Sequence, residues 1–409
     1  MRQPTKRTKV VILGGGYAGT LAALRLAGKT KGQPVELYLV NGQDHFVERI
    51  RHHELAAGKP PVQVPFTKLL GKRGIRFVHG WCTAIAPAAK QLSIQTTSGT
   101  ETLSYDYLIY ALGSTITTEH VPGLTEHAYT LADETVAGKL QAQARTLVAQ
   151  KGQLLIIGGG LTGIEAATEL AETYPDLRVT MATRGTLGAA LSAAGTAHIQ
   201  KVFTRLGIEV IENISIDHLT ANAAHTSAGR VLSFDSCLWT GAFSVPKLAG
   251  ASGLPVDQGG RLMVDETLRV VNHPEIYAAG DAAASRLRMA CATALPMGAY
   301  VADHLAAQLT GKPAPAAFRF AYMVQCISLG RRNGLVQLVQ PDDTAKPQVI
   351  TGWLAARIKE LICRYTLWSI HQERRWPGFH AWPQSAQPIG NPALQRSQQV
   401  RYGQSTTNL

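Results

Sequence analysis

Near its start the chain reads Lys9-Val10-Val11-Ile12-Leu13-Gly14-Gly15-Gly16-Tyr17-Ala18-Gly19. A second segment repeats the pattern as Leu154-Leu155-Ile156-Ile157-Gly158-Gly159-Gly160-Leu161-Thr162-Gly163-Ile164-Glu165. In each copy an apolar strand is followed by Gly-x-Gly-x-x-Gly and then by a helix rich in alanine and leucine. Because this is the context in which the motif binds dinucleotides, two copies predict two bound dinucleotides with electrons passing between them.

The glycines of the first fingerprint have distinct physical roles. Gly14 makes the tight turn, Gly16 lets the backbone approach a pyrophosphate, and Gly19 lets the helix pack on the strand. The free N–H groups of the helix N-terminus stabilise phosphate charge. A ribose partner is expected about 20 residues further on, and Asn41 stands there in place of the usual acid. The predicted contacts within the segment are Gly14, Gly15, Gly16, Tyr17, Ala18 and Gly19.

The second fingerprint repeats this geometry at Gly158, Gly160 and Gly163. Its ribose position is occupied by Thr183, and Arg184 follows directly. No carboxylate is present to prefer the plain ribose of NAD, whereas an arginine beside the adenosine ribose favours a 2′-phosphate. The pattern therefore favours NADPH over NADH, unless Arg184 is merely exposed.

A third segment completes the first site. Gly280-Asp281 follows a short apolar strand, and an aspartate there can accept hydrogen bonds from the ribityl chain of FAD. Gly113 ends the apolar strand at 107–112, much as Gly241 ends the strand at 236–240 in the second half of the chain. A helix from about 294 to 309 is expected, with Pro296 in its first turn. Its positive end, at Leu295 and Pro296, would point at the flavin pyrimidine ring.

The composition describes a folded protein that has no spanning helix. The 409 residues are 45% hydrophobic and 17% charged, and no window offers about 18 uninterrupted apolar residues. The first strand begins by residue 9, which leaves no room for a signal peptide. Five cysteines without Cys-x-x-Cys spacing indicate a reducing compartment and no zinc or iron–sulfur site. The net charge of +12 suits anionic cofactors, anionic lipid or nucleic acid, but no base-reading module is visible.

The order of strands and helices predicts an α/β fold in which one Rossmann-like domain is inserted into another. Residues 1–120 and 245–315 would form the FAD-binding domain, and residues 121–244 the NAD(P)-binding domain. Residues 316–382 would form an α+β region with an amphipathic helix. Residues 383–409 are rich in Gln, Ser, Pro and Asn and are expected to be disordered.

Together these motifs resemble the two-dinucleotide-binding flavoproteins of the pyridine nucleotide-disulfide oxidoreductase superfamily. Within it the chain is most similar to the type II NADH dehydrogenase and apoptosis-inducing-factor-like branch, through Gly158–Glu165 and the turn Gly330-Arg331-Arg332-Asn333-Gly334. The resemblance implies that FAD binds the first and third segments and that a nicotinamide cofactor binds the middle domain. It also implies that Glu165 lies near the flavin, as the catalytic residue, although a helix-dipole carboxylate would occupy the same position.

The chain departs from this family at two places. The Cys-x-x-x-x-Cys dithiol is absent, so disulfide reduction is not expected. The Ala-Gln-x-Ala-x-Gln-Gln quinone motif is replaced by residues 291–299, beginning at Cys291, which predicts a different acceptor pocket. Cys291 is either a reactive thiol beside the flavin or a small buried filler. In the segment 45–53, Arg49 or His52 is expected to touch the flavin, and a metal site is not expected.

The C-terminal helix, predicted over 353–371, carries one apolar stripe. Its members follow helical spacing: Leu354, Ile358, Leu361, Ile362, Tyr365 and Trp368. Basic residues lie beside the stripe, with tryptophans able to act as interfacial rings. Such a helix either lies in a membrane surface or packs on the flavin domain or a second subunit, which would give a homodimer.

The sequence thus predicts an FAD-dependent NAD(P)H oxidoreductase that passes hydride to FAD and then electrons to a quinone or other small acceptor. Two alternatives stay open. One is an NAD(P)H-dependent reductase of a small redox protein such as ferredoxin, for which the basic surface would suit an acidic partner. The other is a non-catalytic flavoprotein scaffold that binds membrane or nucleic acid. A cytoplasmic location is expected, with peripheral contact at the inner face of the membrane as an extension.

Overall fold

The structure is a computed structural model that describes residues 7–116, 118, 120–241 and 243–389. In chain order its helices are α1 Tyr17–Lys29, α2 His52–Ala56, α3 Phe66–Leu70, α4 Leu124–His127, α5 Glu134–Gln150, α6 Leu161–Thr173, α7 Ala193–Arg205, α8 Leu248–Ala251, α9 Cys291–Thr310 and α10 Gly352–Arg375. Its strands are β1 Thr8–Leu13, β2 Val35–Asn41, β3 His45–Val47, β4 Gln63–Pro65, β5 Ile75–His79, β6 Trp81–Ala86, β7 Gln91–Thr96, β8 Gly99–Ser104, β9 Tyr107–Tyr110, β10 Thr115–Ile116, β11 Ala128–Thr130, β12 Gln153–Ile157, β13 Arg178–Ala182, β14 Glu209–Ile211, β15 Ile216–Thr220, β16 Ala223–Thr226, β17 Val231–Ser233, β18 Ser236–Trp239, β19 Phe243–Ser244, β20 Arg269–Val270, β21 His273–Ala278, β22 Val324–Ser328, β23 Gly334–Val339 and β24 Ala345–Thr351.

The first large sheet has the strand order β20-β21-β9-β1-β2-β5. All of its neighbouring pairs are parallel except β20 with β21. The central strand β1 is buried from Val10 to Leu13, as expected for a parallel strand covered on both faces. Helices α1 and α9 pack against each other on this sheet, since an ideal Cβ at Gly298 would lie 2.2 Å from the Ala18 carbonyl oxygen. This close approach joins the first and third segments of the predicted flavin site.

The second large sheet, ordered β11-β18-β12-β13-β14, is parallel throughout. Its central strand β12 precedes the second fingerprint, as β1 precedes the first. A two-stranded antiparallel ribbon of β10 and β19 lies where the chain passes between the two sheets. The predicted α/β fold with two Rossmann-like units is therefore confirmed.

The C-terminal region is a three-stranded antiparallel sheet, β22-β23-β24, followed by α10. A buried ion pair fixes α10 to the first unit: the Arg25 guanidinium lies 2.7 Å from the Glu373 carboxylate, and Arg25 also bonds Asp303 and the His380 carbonyl. On the other side the sheet contacts α7, because the buried Gln337 amide oxygen accepts hydrogen bonds from the backbone N–H and hydroxyl of Ser192. The region thus contacts both dinucleotide units.

Three expectations about this half of the chain are corrected. Helix α9 begins at Cys291 rather than near 294. Leu295 and Pro296, which the sequence predicts at the helix entry, therefore lie inside the helix, beyond its first turn. Helix α10 extends to Arg375, past the predicted end at 371. Residues 383–389 are ordered, since the Ile389 N–H donates to the Phe318 carbonyl and the Ala321 N–H donates to the Pro383 carbonyl. The rest of the predicted tail, 390–409, lies outside the described residues.

The Arg25–Glu373 pair gives a test of how α10 is held. Both side chains are almost fully buried, and removing one partner of a buried pair leaves an uncompensated charge that costs about 3–5 kcal/mol. We expect Glu373→Met to lower the free energy of unfolding by about that amount, and Arg25→Met/Glu373→Met to lower it less. Urea denaturation measures both.

Arg7→Met serves as the control, because the Arg7–Glu36 pair is exposed on the arginine side and is worth under about 1 kcal/mol. Equal destabilisation by the single and the double variants would show that the charges themselves do not matter.

Candidate active site

The first fingerprint forms a backbone cradle that is open at its centre. Gly14 has a φ of +107°, which L side chains rarely adopt, and an ideal Cβ at Gly19 would lie 1.9 Å from the Gly14 carbonyl oxygen. By contrast, no atom lies within 4 Å of an ideal Cβ at Gly16. Gly16 is the N-cap of α1, which has neither a side-chain cap nor an acidic residue in its first turn. The N-terminal amides of α1 are therefore available to an anion.

The second fingerprint repeats this arrangement. Gly158 has a φ of +122°, Gly163 packs against the Gly158 carbonyl, and nothing lies within 4 Å of an ideal Cβ at Gly160. Gly160 caps α6, again with no side-chain cap and no acidic residue in the first turn. Helices α5 and α7 differ, since the side chains of Asp133 and Ser192 accept hydrogen bonds from their first-turn amides. Other helices, α9 and α10 among them, also lack a side-chain cap, so the fingerprint helices are distinguished by the open space at Gly16 and Gly160.

The side chains at the two predicted ribose positions differ in how accessible they are to a ligand. Asn41 lies at the end of β2, where its Oδ1 accepts from the Gly15 N–H at 2.8 Å and its Nδ2 donates to the Gln43 carbonyl. An amide group has a second N–H and a second lone pair left for a ribose. Thr183 is buried against Gly159, whose ideal Cβ would lie 2.5 Å from the Thr183 Oγ1. Arg184 is exposed.

The third segment meets the first at the carboxyl ends of β9 and β21. Asp281 accepts a 2.6 Å hydrogen bond from the Ser114 hydroxyl, and the Arg49 guanidinium donates to the Ser114 carbonyl at 2.7 Å. Asp281 also opposes the lowering of the Arg49 pKa that burial causes. An ideal Cβ at Gly113, the neighbour of Ser114, would lie 3.9 Å from the Arg49 Nη1. Asp281, Gly113 and Arg49 therefore lie close together, and their contact with a flavin stays a prediction.

The amino end of α9 lies elsewhere than predicted. Its first-turn amides belong to Cys291 and the two residues that follow, whereas Leu295 and Pro296 are buried inside the helix. A proline at this depth removes one helix hydrogen bond, and the helix continues. Any interaction between the dipole of this helix and a flavin ring is consequently made at Cys291, whose side chain is partly buried.

Glu165, on α6, lies in a polar cluster that reaches three other elements. Its carboxylate is 3.0 Å from the Lys359 ammonium of α10. It also accepts hydrogen bonds from the backbone N–H and the hydroxyl of Ser328, at 3.0 and 3.1 Å. The Ser328 hydroxyl lies 3.3 Å from the His53 Nε2 of α2. The partners Lys359, Ser328 and His53 are absent from the sequence-based set, because their positions are fixed only by tertiary packing.

The protonation states of this cluster follow from burial and charge. Burial opposes ionisation of Glu165, but Lys359 and His53, with the Ser328 N–H, outweigh burial and lower the pKa of Glu165. Burial also opposes the charge on Lys359, yet Glu165 raises the pKa of Lys359 above its ordinary value. Burial lowers the pKa of His53 to about 4. At neutral pH the cluster is a carboxylate–ammonium pair beside a neutral imidazole.

The histidines of the segment 45–53 have protein partners. His45 bridges the Asp44 and Glu134 carboxylates, and the His52 Nδ1 lies 2.8 Å from the Leu131 carbonyl. Among the residues that the structure describes, no group of three or more His, Cys, Asp or Glu side chains could hold a metal ion.

Known proteins share this sequence pattern and this fold. The family model described as pyridine nucleotide-disulphide oxidoreductase matches residues 8–302. An NADH dehydrogenase-like protein of Mycobacterium tuberculosis is 28% identical over 349 residues, covering 79% of this chain and 86% of the relative. Demethylphylloquinone reductase of Synechocystis is 29% identical, covering 75% and 81%. The sulfide:quinone oxidoreductase of Aquifex aeolicus superposes with a TM-score of 0.77 at 19% identity, covering 89% and 92%, and so shares the fold.

The Glu165–Lys359 pair predicts a pH-dependent effect of substitution. Lys359→Met leaves a buried carboxylate without its counter-charge, so the pKa of Glu165 should rise above its ordinary value. The wild-type pair stabilises the fold above the unfolded pKa of Glu165, and this stabilisation is lost as pH falls through the lowered folded value. The variant should therefore be most destabilised at neutral and alkaline pH and least near pH 4, as measured by urea denaturation across pH.

Glu165→Gln/Lys359→Met is the matched control, because it removes both charges, so its own stability should not change with pH through the titration of Glu165. A deficit in Lys359→Met that is the same at all pH values would contradict the ionic state assigned to this pair.

Proposed function

The chain belongs to the pyridine nucleotide-disulphide oxidoreductase family, and on that premise we propose that it is an FAD-dependent NAD(P)H:quinone oxidoreductase. The observation that carries the proposal is the pair of glycine-capped helix N-termini, α1 and α6, each with open space where a pyrophosphate would approach. Enzymes of this family act as oxidoreductases, and the chain is one of them.

The residues of the first and third segments fit FAD. The amides of Gly16 and Tyr17 would bind the pyrophosphate, and Asn41 the adenosine ribose. Asp281 would accept hydrogen bonds from the ribityl hydroxyls, with Arg49 and Ser114 holding its carboxylate in place. The buried Tyr17 hydroxyl has no hydrogen-bond partner among the described residues, which suits a cofactor group beside it. When bound, FAD supplies the two-electron chemistry that links a nicotinamide to an acceptor.

The second fingerprint would bind the nicotinamide cofactor. The Gly160 N-terminus of α6 would hold its pyrophosphate, and the first turns of α6 would bring the nicotinamide toward Glu165. Lys359 would then orient the Glu165 carboxylate and keep it charged. The case for NADPH rests on exposed Arg184 alone, and the relatives' names include NADH dehydrogenase-like proteins. We therefore propose NAD(P)H without a preference for the phosphate.

A quinone is the acceptor that the relatives favour. Demethylphylloquinone reductase and type II NADH:quinone oxidoreductases are among them. Residues 291–299 lack the glutamines of the quinone motif, so the head group would have to be held by other donors. Lys359 lies near Cys291 and also donates to the Cys326 carbonyl at 3.1 Å. Its ammonium N–H groups could donate hydrogen bonds to a quinone carbonyl.

Helix α10 would place this enzyme on a membrane surface, at the inner face in a cell. Its inward face carries Ala355, Cys363 and Glu373, whereas the predicted apolar stripe is largely exposed: Leu361 is 65% and Trp368 48% accessible. The helix also packs on the first unit, which is one of the predicted alternatives, but it does so through its inward face and leaves most of the stripe exposed. No helix among the described residues is long and apolar enough to cross a bilayer. Exposed arginines beside the stripe would attract anionic lipid headgroups.

The two fingerprint glycines give the test of the proposed cofactors. Gly16→Val and Gly160→Val each place a Cβ where no other protein atom lies within 4 Å. We expect Gly16→Val to purify without FAD. Gly160→Val should purify yellow, yet its KM for NADH should rise at least tenfold, on the order of one lost phosphate-binding contact. Anaerobic bleaching by NADH and by NADPH reads out both variants.

Gly138→Val is the matched control, because Gly138 also has open space at its Cβ and lies on α5, away from both cradles. A quinone and ferredoxin are then offered as acceptors. Turnover with ferredoxin alone would overturn the quinone assignment, and bleaching of Gly160→Val at the wild-type NADH concentration would overturn the nicotinamide site.

The exposed stripe on α10 predicts lipid binding that a single charged residue introduced into the stripe should weaken. Leu361→Glu should reduce co-sedimentation with anionic phospholipid vesicles by about tenfold, because burying the introduced carboxylate is unfavourable. Val231→Glu, at an exposed position on β17, is the control. If wild-type protein ignores vesicles and forms a dimer that Leu361→Glu dissociates, the stripe is a subunit interface and the membrane assignment is wrong.

A further inference from the structure

Trp81 presents an open aromatic face at the edge of the first large sheet. Its side chain is 64% exposed although it begins strand β6, and its indole contacts Gly42. An ideal Cβ at Gly42 would lie 2.2 Å from a ring carbon of Trp81, so only glycine permits this contact. The opposite face of the ring is accessible.

The position of this ring relative to the first fingerprint is set by backbone hydrogen bonds. Gly42 directly follows Asn41, and the Gly80 N–H donates to the Asn41 carbonyl at 2.9 Å. Trp81 therefore directly follows Gly80, the residue whose backbone is hydrogen-bonded to Asn41, the predicted ribose partner. His79, two residues earlier, has its Nε2 3.2 Å from the Gly42 carbonyl, so Gly42 lies between two rings.

The direction of a dinucleotide across this sheet leads to the same place. A pyrophosphate at the N-terminus of α1 and a ribose at Asn41 run from β1 toward β2. The adenine continues outward from the ribose, toward β5, which is the next strand and the edge of the sheet. The loop that joins β5 to β6 contains Gly80 and is followed at once by Trp81.

We propose that Trp81 stacks on the adenine of the bound FAD and so positions the adenosine half of the cofactor. This inference rests on the proposed binding of FAD to the first fingerprint. An indole face is suited to any purine, and such stacking is sequence-tolerant because it uses the π-face of the base. The ring is held by Gly42 on its back, which leaves its front free for the ligand.

The test compares FAD with FMN, which lacks the adenosine moiety, on apoprotein prepared by removing the flavin. FAD should bind Trp81→Ala and Trp81→Leu at least tenfold more weakly than wild type, as expected for the loss of one base–aromatic contact. Trp81→Phe should recover most of the affinity. FMN should bind all four proteins equally. ADP should compete with FAD on wild type and compete at least tenfold more weakly on Trp81→Ala.

A second variant disturbs the contact between Gly42 and the Trp81 ring. Gly42→Ala should displace the indole and weaken FAD binding with Trp81 still present, whereas in the Trp81→Ala background it should add nothing. Trp353→Ala, at a comparably exposed tryptophan on α10, is the control for FAD affinity.

Affinity for FAD within twofold of wild type in both Trp81→Ala and Trp81→Leu would overturn the inference, as would an equal loss for FMN. Wild-type apoprotein that binds neither flavin would instead refute the proposed function, so the two failures are distinguishable.

Discussion

The backbone amides at the N-termini of α1 and α6 are left without side-chain caps, and most of the account depends on this. Glycine at Gly16 and Gly160 forgoes the hydrogen bonds that Asp133 and Ser192 provide to α5 and α7. A glycine N-cap costs only about a few tenths of a kcal/mol of helix stability relative to serine or aspartate, and a bound anion would satisfy the free amides. The same glycines leave the space through which a pyrophosphate can approach. A stability cost at these two helices is thus the condition for binding two dinucleotides.

The C-terminal region completes the site that the two dinucleotide units frame. It supplies Lys359 and Ser328 to the Glu165 carboxylate of α6. It is held to the first unit by the buried Arg25–Glu373 pair. The inward face of α10 mixes apolar residues such as Ile370 with ion-paired Glu373, and its outward face carries an exposed apolar stripe. One face orients a residue beside the proposed redox centre while the other can meet a lipid surface.

Local pattern was sufficient to predict the fold, because apolar runs and glycine turns act over short distances. The strands β1 and β12, both fingerprint helices and an α+β C-terminal region could all be read from the sequence. Long-range contacts could not: Lys359 and Glu165 are far apart in the chain, and no periodicity joins them. The stripe on α10 was visible but not its direction, since its inward face is stabilised by ion pairs. The start of α9 differs from the prediction because a proline is typical of a first turn, whereas Pro296 lies inside this helix.

The central claim is that this chain holds one flavin where a nicotinamide can reach it. The most direct measurement is to purify the protein natively, record its visible spectrum, and identify and count the flavin that is released on denaturation. The account predicts a yellow protein with one FAD per chain, whose colour is bleached under anaerobic conditions by a reduced nicotinamide. A protein that stays colourless after reconstitution with FAD would contradict the account.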